Sequence, residues 1–368
     1  MRGIAARLAV LGTGLIGGSI ALGVRAVDGD LVVVGYDADP RAGRAALARG
    51  ALSELAESPE EAVAAADVIV LAPPVDRVPD LCVRLAEAVP RGAVVTDVGS
   101  AKAKVVLEGE RCFGGRFLGG HPMAGSERHG IEAADGDLFH DAFWILTPTS
   151  TTSPEAYSAV ASLAGRLGAQ AVALEPRQHD ELMAHISHLP QLAASAVVSV
   201  ASGEEGREAL LGLAANGFRD VTRIAASNPE LWVSILKANR AAVVDSLDRL
   251  GEQLQGVRAS MTAGRWDEVE RFLDAARRAR VELFSKPAYG GPPVALSIPV
   301  PDRPGVLAQV TTAAGEIGVN IEDLRIIHST EGGRGRVELI VAGEEPARSL
   351  KTALGGLGYR VDEGDVHE

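Results

Sequence analysis

The sequence predicts a three-part α/β chain: a doubly wound parallel sheet, an all-α segment, and a small βαββαβ module. Three observations predict it. A glycine fingerprint, Gly12-Thr13-Gly14-Leu15-Ile16-Gly17, follows the first apolar run. From about residue 176 to 286, long helical patterns replace glycine-punctuated strands. After residue 294, strict alternation of apolar and other residues returns. The expected boundaries are therefore 1–175, 176–286 and 294–368. A chain of 368 residues accommodates three such units at roughly 150 residues or fewer per domain.

In the first unit, Leu8-Ala9-Val10-Leu11 reads as a strand and Gly18-Ser19-Ile20-Ala21-Leu22 as the start of a helix. The fingerprint between them has a glycine for a tight turn, one for close approach to a pyrophosphate, and one for helix-on-strand packing. A second strand, Leu31 to Val34, runs into Asp37, 20 residues beyond Gly17, where a carboxylate accepts from an adenosine ribose. That charge would repel a 2′-phosphate and favours NAD, while nearby Arg41 keeps NADP open. Asp67 to Ala72 and Ala93 to Val98 read as further buried strands of a Rossmann-type sheet. Ligands lie beyond the carboxyl ends of such strands, so Pro73, Asp97, Gly99 and Ser100 should face the cofactor, together with Gly12, Gly14, Leu15, Ile16 and Gly17. Pro73-Pro74 serves equally well as a plain strand terminator.

Composition narrows the function classes. The balance of 49 acidic and 36 basic residues, a net charge of −13, argues against a nucleic-acid partner. Cys82 and Cys112 are too few for a disulfide framework or a four-thiolate zinc site, which fits a reducing compartment. The low-charge stretch Leu189 to Ser202 is shorter than the ~20 residues a bilayer span needs. The first residues form no signal-peptide core. A soluble, cytoplasmic protein is expected.

Three segments are too polar for a core: Thr96 to Lys102, Gly119 to Glu127, and Asn216 to Ala225 followed by Asn228-Pro229-Glu230-Leu231-Trp232. Each has a bland reading. His121 between glycines and proline suits a satisfied loop residue, and Arg219 and Arg223 could pair with Asp220 and Glu230 on an exposed helix. Together they suggest a hydride-transfer site, with a neutral imidazole as base and guanidinium groups for a carboxylated substrate. A metal reading of His179, His185 and His188 is disfavoured, because no His-Glu-x-x-His pattern occurs and Asp180 and Glu181 suit an exposed helical start.

The motifs Gly12-x-Gly14-Leu15-Ile16-Gly17-Gly18-Ser19, Asp97-Val98-Gly99-Ser100-x-Lys102, Gly120 to Glu127, Ser187-His188-Leu189-Pro190 and Phe218-Arg219-Asp220-x-Thr222-Arg223-Ile224-Ala225 resemble, in order, the prephenate and arogenate dehydrogenases. The resemblance covers about residues 6 to 285. It implies NAD-dependent oxidative decarboxylation of a cyclohexadienol in tyrosine biosynthesis. It implies His121 as the base, Ser100 orienting it, and Arg223 holding the ring carboxylate. Arg219, His188, Trp232 and Ser126 would line the pocket, and Glu127 would shape its entrance. Many members carry His-Leu-Pro-His, whereas Gln191 stands last here. That departure leaves prephenate and arogenate both open as substrate. Competing readings are a β-hydroxyacid dehydrogenase, whose catalytic lysine lies on a helix with a glycine-rich approach whereas the polar centre here is His121 with Arg223, and a non-catalytic NAD- and amino-acid-binding regulator.

In the helical middle, Leu189 to Ala201 is almost wholly apolar or small, as in a helix buried on all sides. Val243, Leu247, Leu250, Leu254, Val257 and Met261 form a heptad seam that wants a partner helix. Extended backwards, the seam meets Arg240, either at the domain edge or turned toward the active-site crevice. The resemblance likewise implies a homodimer. Ser285 to Pro293 is linker-like. Beyond it come a strand at Val294 to Val300, a helix opening at Asp302-Arg303-Pro304-Gly305, and strands from Asn320 to His328 and Gly335 to Val341. A helix near Ala347 to Leu354 and a strand near Tyr359 complete the order. This stretch resembles the ACT domain, a ferredoxin-like regulatory module. The resemblance implies an amino-acid effector, tyrosine first, near Gly305 and Asn320, or a dimerisation module without ligand.

Overall fold

A computed structural model describes residues 7–125, 130–203, 216–284, 292–301, 306–328 and 334–364. Ser126, Glu127 and Gly305, expected at ligand sites, lie outside the described residues. The contacts divide the chain into two compact units, one up to Gln253 and one from Leu254.

The first unit contains β1 (Arg7–Leu11), α1 (Leu15–Val27), β2 (Val32–Tyr36), β3 (Glu54–Leu55), β4 (Val68–Leu71) and β5 (Val94–Asp97). It continues with α2 (Ala103–Phe113), β6 (Phe117–Pro122), β7 (Phe143–Thr147) and β8 (Gln170–Ala173). The eight strands lie in the order β3-β2-β1-β4-β5-β6-β7-β8. Neighbours are parallel except β6 and β7. The order reverses between β1 and β4, which opens the crevice used by ligands in such sheets. Successive residues alternate between faces. Val10, Val33 and Val70 enter one apolar cluster, and Ala9, Val34 and Ile69 enter the other. The continuous apolar runs are therefore explained by helices covering both faces.

The same unit continues through α3 (Pro176–Met183), a π-helical turn (Ala184–His188), α4 (Leu189–Ser202), α5 (Asn216–Thr222), a 3₁₀ turn (Arg223–Ala226) and α6 (Pro229–Ala238). Glu175 and Asn228 cap α3 and α6 by accepting backbone N–H groups, each followed by a proline in the first turn. One expectation is corrected: α4 is not buried all round. Within it only Gln191 and Ala194 are buried, while Val197 and Val200 are 42% and 71% exposed. Its uniform apolarity serves two surfaces, one facing this chain and one left uncovered by it. The heptad residues behave likewise along the helix Arg240–Thr262, where Val243 is buried but Leu247, Leu254 and Met261 are 40%, 59% and 50% exposed.

The second unit ends in β9 (Pro293–Pro301), a helix (Val306–Glu316), β10 (Ile321–His328), β11 (Arg334–Ala342), a helix (Glu344–Gly356) and β12 (Asp362–Gly364). The sheet order β10-β11-β9-β12, wholly antiparallel, is the split-βαβ arrangement of ferredoxin-like modules. Leu296, Ile298, Val337 and Leu339 meet Val310, Leu350 and Leu354 in its core. The last strand lies three residues later than expected. Gly358, at φ +87°, ends the helix, and Tyr359 is spent packing on the core and donating its hydroxyl to Gln309 Oε1 at 2.6 Å.

Candidate active site

The three fingerprint glycines occupy three different environments. A side chain on Gly12 would strike the Ala72–Pro73 peptide, with Ala72 O at 2.5 Å, and its φ of +97° also favours glycine. One on Gly17 would meet Gly12 O at 2.0 Å, so α1 rests directly on the turn. Gly14 has nothing within 4 Å; it stands at the N-cap of α1 with no side chain capping the helix. An open cradle of backbone N–H groups at a helix N-terminus suits a pyrophosphate. Asp37 is fixed beside it, because Oδ2 accepts from the Thr13 N–H at 2.7 Å and the Thr13 hydroxyl at 2.9 Å, and Oδ1 from the Asp39 N–H at 2.9 Å. Arg41 is exposed and its guanidinium lies 3.9 Å from Asp39. Pro73 is half-buried at the carboxyl end of β4.

Asp97 corrects a second expectation. It is fully buried, and its carboxylate is already engaged by the Lys102 ammonium, the Gly99 N–H at 2.8 Å and the Gly120 N–H at 3.3 Å. Lys102 Nζ also donates to the Gly120 carbonyl at 2.7 Å. Burial lowers the Lys102 pKa, and the Asp97 carboxylate opposes that shift. Asp97 thus fastens β5 to β6 instead of facing a cofactor. Gly119 and Gly120 are required there: a Cβ would meet Thr147 Oγ1 at 2.4 Å in one case and Asp97 O at 2.7 Å in the other.

His121 lies inside β6, paired with Ile145 of β7, and not in a loop as its bland reading has it. The strand places it at the carboxyl edge of the parallel sheet. The residue is 9% exposed. Burial, reinforced by His179, Lys102 and His188, holds its pKa well below the usual imidazole value. At neutral pH the ring is therefore an uncharged base. The group that holds it is His179, whose Nε2 lies 2.9 Å from His121 Nδ1. No hydrogen bond joins Ser100 to His121 among the described residues; Ser100 is half-buried beyond β5. His179 Nδ1 in turn lies 2.8 Å from Asp180 Oδ1.

Asp180 overturns the expectation of an exposed helical start. It is 6% exposed, and its carboxylate accepts from the Lys102 N–H at 2.6 Å and the Ala103 N–H at 2.9 Å. Those are the first donors of α2, left without a local cap, so a side chain from α3 completes the neighbouring helix. His188 sits at the end of the π turn, a feature frequent at functional sites. The Asn239 amide donates to the Asp180 carbonyl at 2.7 Å and lies 3.2 Å from His188 Nδ1. His188 Nδ1 therefore accepts, leaving a proton on Nε2. That buried atom and Gln191 Oε1 have no hydrogen-bond partner among the described residues. Trp232 stands edge-on to His188 at 6.0 Å. The turn Arg223–Ala226 packs against α4, the helix that carries Gln191. Arg219 and Arg223 are exposed. His121, His188, Gln191 and Trp232 thus belong to one polar neighbourhood, which Lys102, His179, Asp180 and Asn239 organise.

Residues 20–173 match the family described as "Prephenate dehydrogenase, nucleotide-binding domain", and residues 175–275 match "Prephenate dehydrogenase, dimerization domain". The prephenate dehydrogenase of Bacillus subtilis (strain 168) is 33% identical over 352 residues, 93% of this chain and 94% of the relative. The chain belongs to the prephenate dehydrogenase family. A prephenate dehydrogenase from A. aeolicus, solved with hydroxyphenyl propionate and NAD+, shares 29% identity at a TM-score of 0.70, covering 75% of this chain and 98% of that one. An arogenate dehydrogenase from Synechocystis shares 29% identity at a TM-score of 0.65, covering 75% and 99%. The family is one of dehydrogenases, and Asp37 lies within the residues that match its nucleotide-binding domain. No helix among the described residues is long and apolar enough to cross a membrane.

Proposed function

We propose that the protein is an NAD-dependent prephenate dehydrogenase that converts prephenate to 4-hydroxyphenylpyruvate in the cytoplasm, in tyrosine biosynthesis. The observation that carries the reading is the neutral, buried His121 at the carboxyl edge of the sheet that also bears the dinucleotide cradle. Bound at Gly12, Gly14, Leu15, Ile16 and Gly17 with its ribose on Asp37, NAD would supply the hydride acceptor. Asp37, whose charge would repel a 2′-phosphate, favours NAD over NADP.

The protein's own residues supply the rest. His121 takes the proton of the substrate hydroxyl as that carbon becomes a carbonyl. Loss of the ring carboxylate as CO₂ sends its bonding pair through the ring to the new carbonyl, giving a phenolate that takes up a proton to become the phenol, so aromatisation supplies the driving force. Arg223 holds the ring carboxylate, with Arg219 nearby for the substrate's second charge. The His188 Nε2–H offers a donor and Gln191 Oε1 an acceptor to the substrate, and Trp232 braces His188. By the family resemblance, Ser126 lines the pocket and Glu127 shapes its entrance, and Ser100 contacts the reacting hydroxyl. An arogenate or dual-specificity cyclohexadienyl dehydrogenase is the second reading. Gln191, an amide where many members carry histidine, leaves both substrates open, and the similarity to an arogenate dehydrogenase supports this reading.

The three expected domains, with a homodimer built on the helical middle, complete the proposal. The C-terminal module is read as an ACT-like sensor for tyrosine near Gly305 and Asn320, the latter exposed at the start of β10. Steady-state NAD reduction with prephenate, then arogenate, tests the reading. Turnover of prephenate supports it, arogenate turnover alone supports the second reading, and turnover of neither removes both.

A further inference from the structure

We propose that His179 and Asp180 form a positioning relay that fixes His121 as its Nδ1–H tautomer and so presents Nε2 as the proton-accepting atom. The inference rests on the reading of His121 as the base, but the hydrogen bonds that carry it are independent of any substrate.

The deduction starts at the carboxylate. Asp180 accepts backbone N–H groups at both oxygens, Lys102 N on Oδ1 and Ala103 N on Oδ2. A carboxylate committed as an acceptor at both oxygens has no proton to offer the ring beside it. The 2.8 Å contact with His179 Nδ1 is therefore made by a proton on that nitrogen. His179 is fully buried, and burial depresses its pKa, so the ring carries one proton and not two. Its Nε2 is then a lone pair. The 2.9 Å contact with His121 can only be donated by His121 Nδ1–H. One imidazole nitrogen remains on His121, Nε2, and it is unprotonated. Three successive contacts thus set which atom of the base is free.

The relay has a second consequence. When His121 Nε2 gains the substrate proton, the ring becomes a cation whose Nδ1–H still points at His179. The Asp180 charge, one ring further on, stabilises that cation through a fully buried bridge, where charge interactions are screened little. The logic is that of a carboxylate orienting a catalytic imidazole, with an extra histidine inserted. The same Asp180 caps α2, whose preceding residue Lys102 grips Asp97 and the Gly120 carbonyl next to His121. Base orientation and backbone placement therefore share one anchor.

The test is nitrogen NMR of the intact protein labelled with ¹⁵N-histidine at neutral pH, with His121 assigned by loss of its signals in His121→Asn. The expected spectrum has His121 protonated at Nδ1 and bare at Nε2, and a spectrum with Nε2 protonated overturns the relay whatever the enzyme's substrate proves to be. His179→Phe, which fills the space but accepts nothing, should mix the two tautomers and lower kcat by about 10²-fold, with KM within about twofold. His179→Gln, whose amide oxygen can replace the Nε2 acceptor, should keep the Nδ1–H signature and recover most of kcat. A Phe variant with unchanged tautomer and kcat would contradict the proposal. Absence of prephenate turnover in the wild type would sink the assigned function but leave the tautomer result standing.

Discussion

At the scale of single residues, three buried imidazoles govern how the protein responds to pH. The His188 pKa is lowered to about 4, mainly by burial, against an ordinary value near 6.5. The unfolded chain therefore binds that proton first as pH falls. The stability contributed by neutral His188 is fully present above about pH 6.5 and is lost progressively down to about pH 4. Each unit of separation corresponds to about 1.4 kcal/mol. Thermal melts from pH 7.5 to 4.5 should show Tm falling over that window, with a shallower fall in His188→Gln. For catalysis, His121→Asn should lower kcat by ~10²–10⁴-fold with little change in KM, since it removes a positioned base. Arg223→Ala should mainly raise KM, as expected for loss of a charge-assisted contact of roughly 1.5–3 kcal/mol. Steady-state kinetics separates the two. His121 and Trp232 stood out in the sequence because they sit in segments of unusual polarity, and His188 only through the resemblance carried by Ser187-His188-Leu189-Pro190. His179, Asp180 and Asn239 did not, because their roles exist only through contacts 51 to 78 residues away. His179 and Asp180 read instead as the start of a solvated helix.

At the scale of elements, β5, β6 and α2 are locked together by the buried pair Lys102–Asp97. Lys102→Met would leave Asp97 charged and buried, a change that typically costs about 3–5 kcal/mol. Urea titration should show it as a lower midpoint. Gly120→Ala should also destabilise, because Asp97 O at 2.7 Å and Trp144 Nε1 at 2.9 Å from the added carbon would have to move. Strand positions in the first unit were readable from short apolar runs and the glycine fingerprint, since parallel strands covered on both faces leave no alternation to misread. The length of β6 was not. Its Gly-Gly-His-Pro end reads as a loop by local propensity, and becomes strand only because β7 pairs with it antiparallel. The helix Leu189–Ser202 shows the converse limit. Apolar residues on every side identify buried surface without saying which chain buries it.

At the scale of the whole molecule, the exposed apolar residues Val197, Val200, Leu247, Leu254 and Met261 in a family described by its dimerization domain call for a second copy. Sedimentation at micromolar concentration should give a dimer, and a monomer would contradict this. If the C-terminal ferredoxin-like module senses tyrosine, added tyrosine should slow NAD reduction in the full-length protein, and Asn320→Ala should weaken that inhibition. The net charge of −13 sits easily with a carboxylated substrate, because bulk charge describes the outer surface and the proposed site meets the substrate with Arg219 and Arg223. The central claim is that a neutral His121, beside a dinucleotide cradle, removes the hydroxyl proton during hydride transfer from prephenate. Its most direct test is NADH formation from prephenate by the wild-type protein and by His121→Asn. The account predicts prephenate-dependent NADH formation in the wild type and a loss of ~10²-fold or more in the variant. No prephenate-dependent signal, or equal rates in the two proteins, would contradict it.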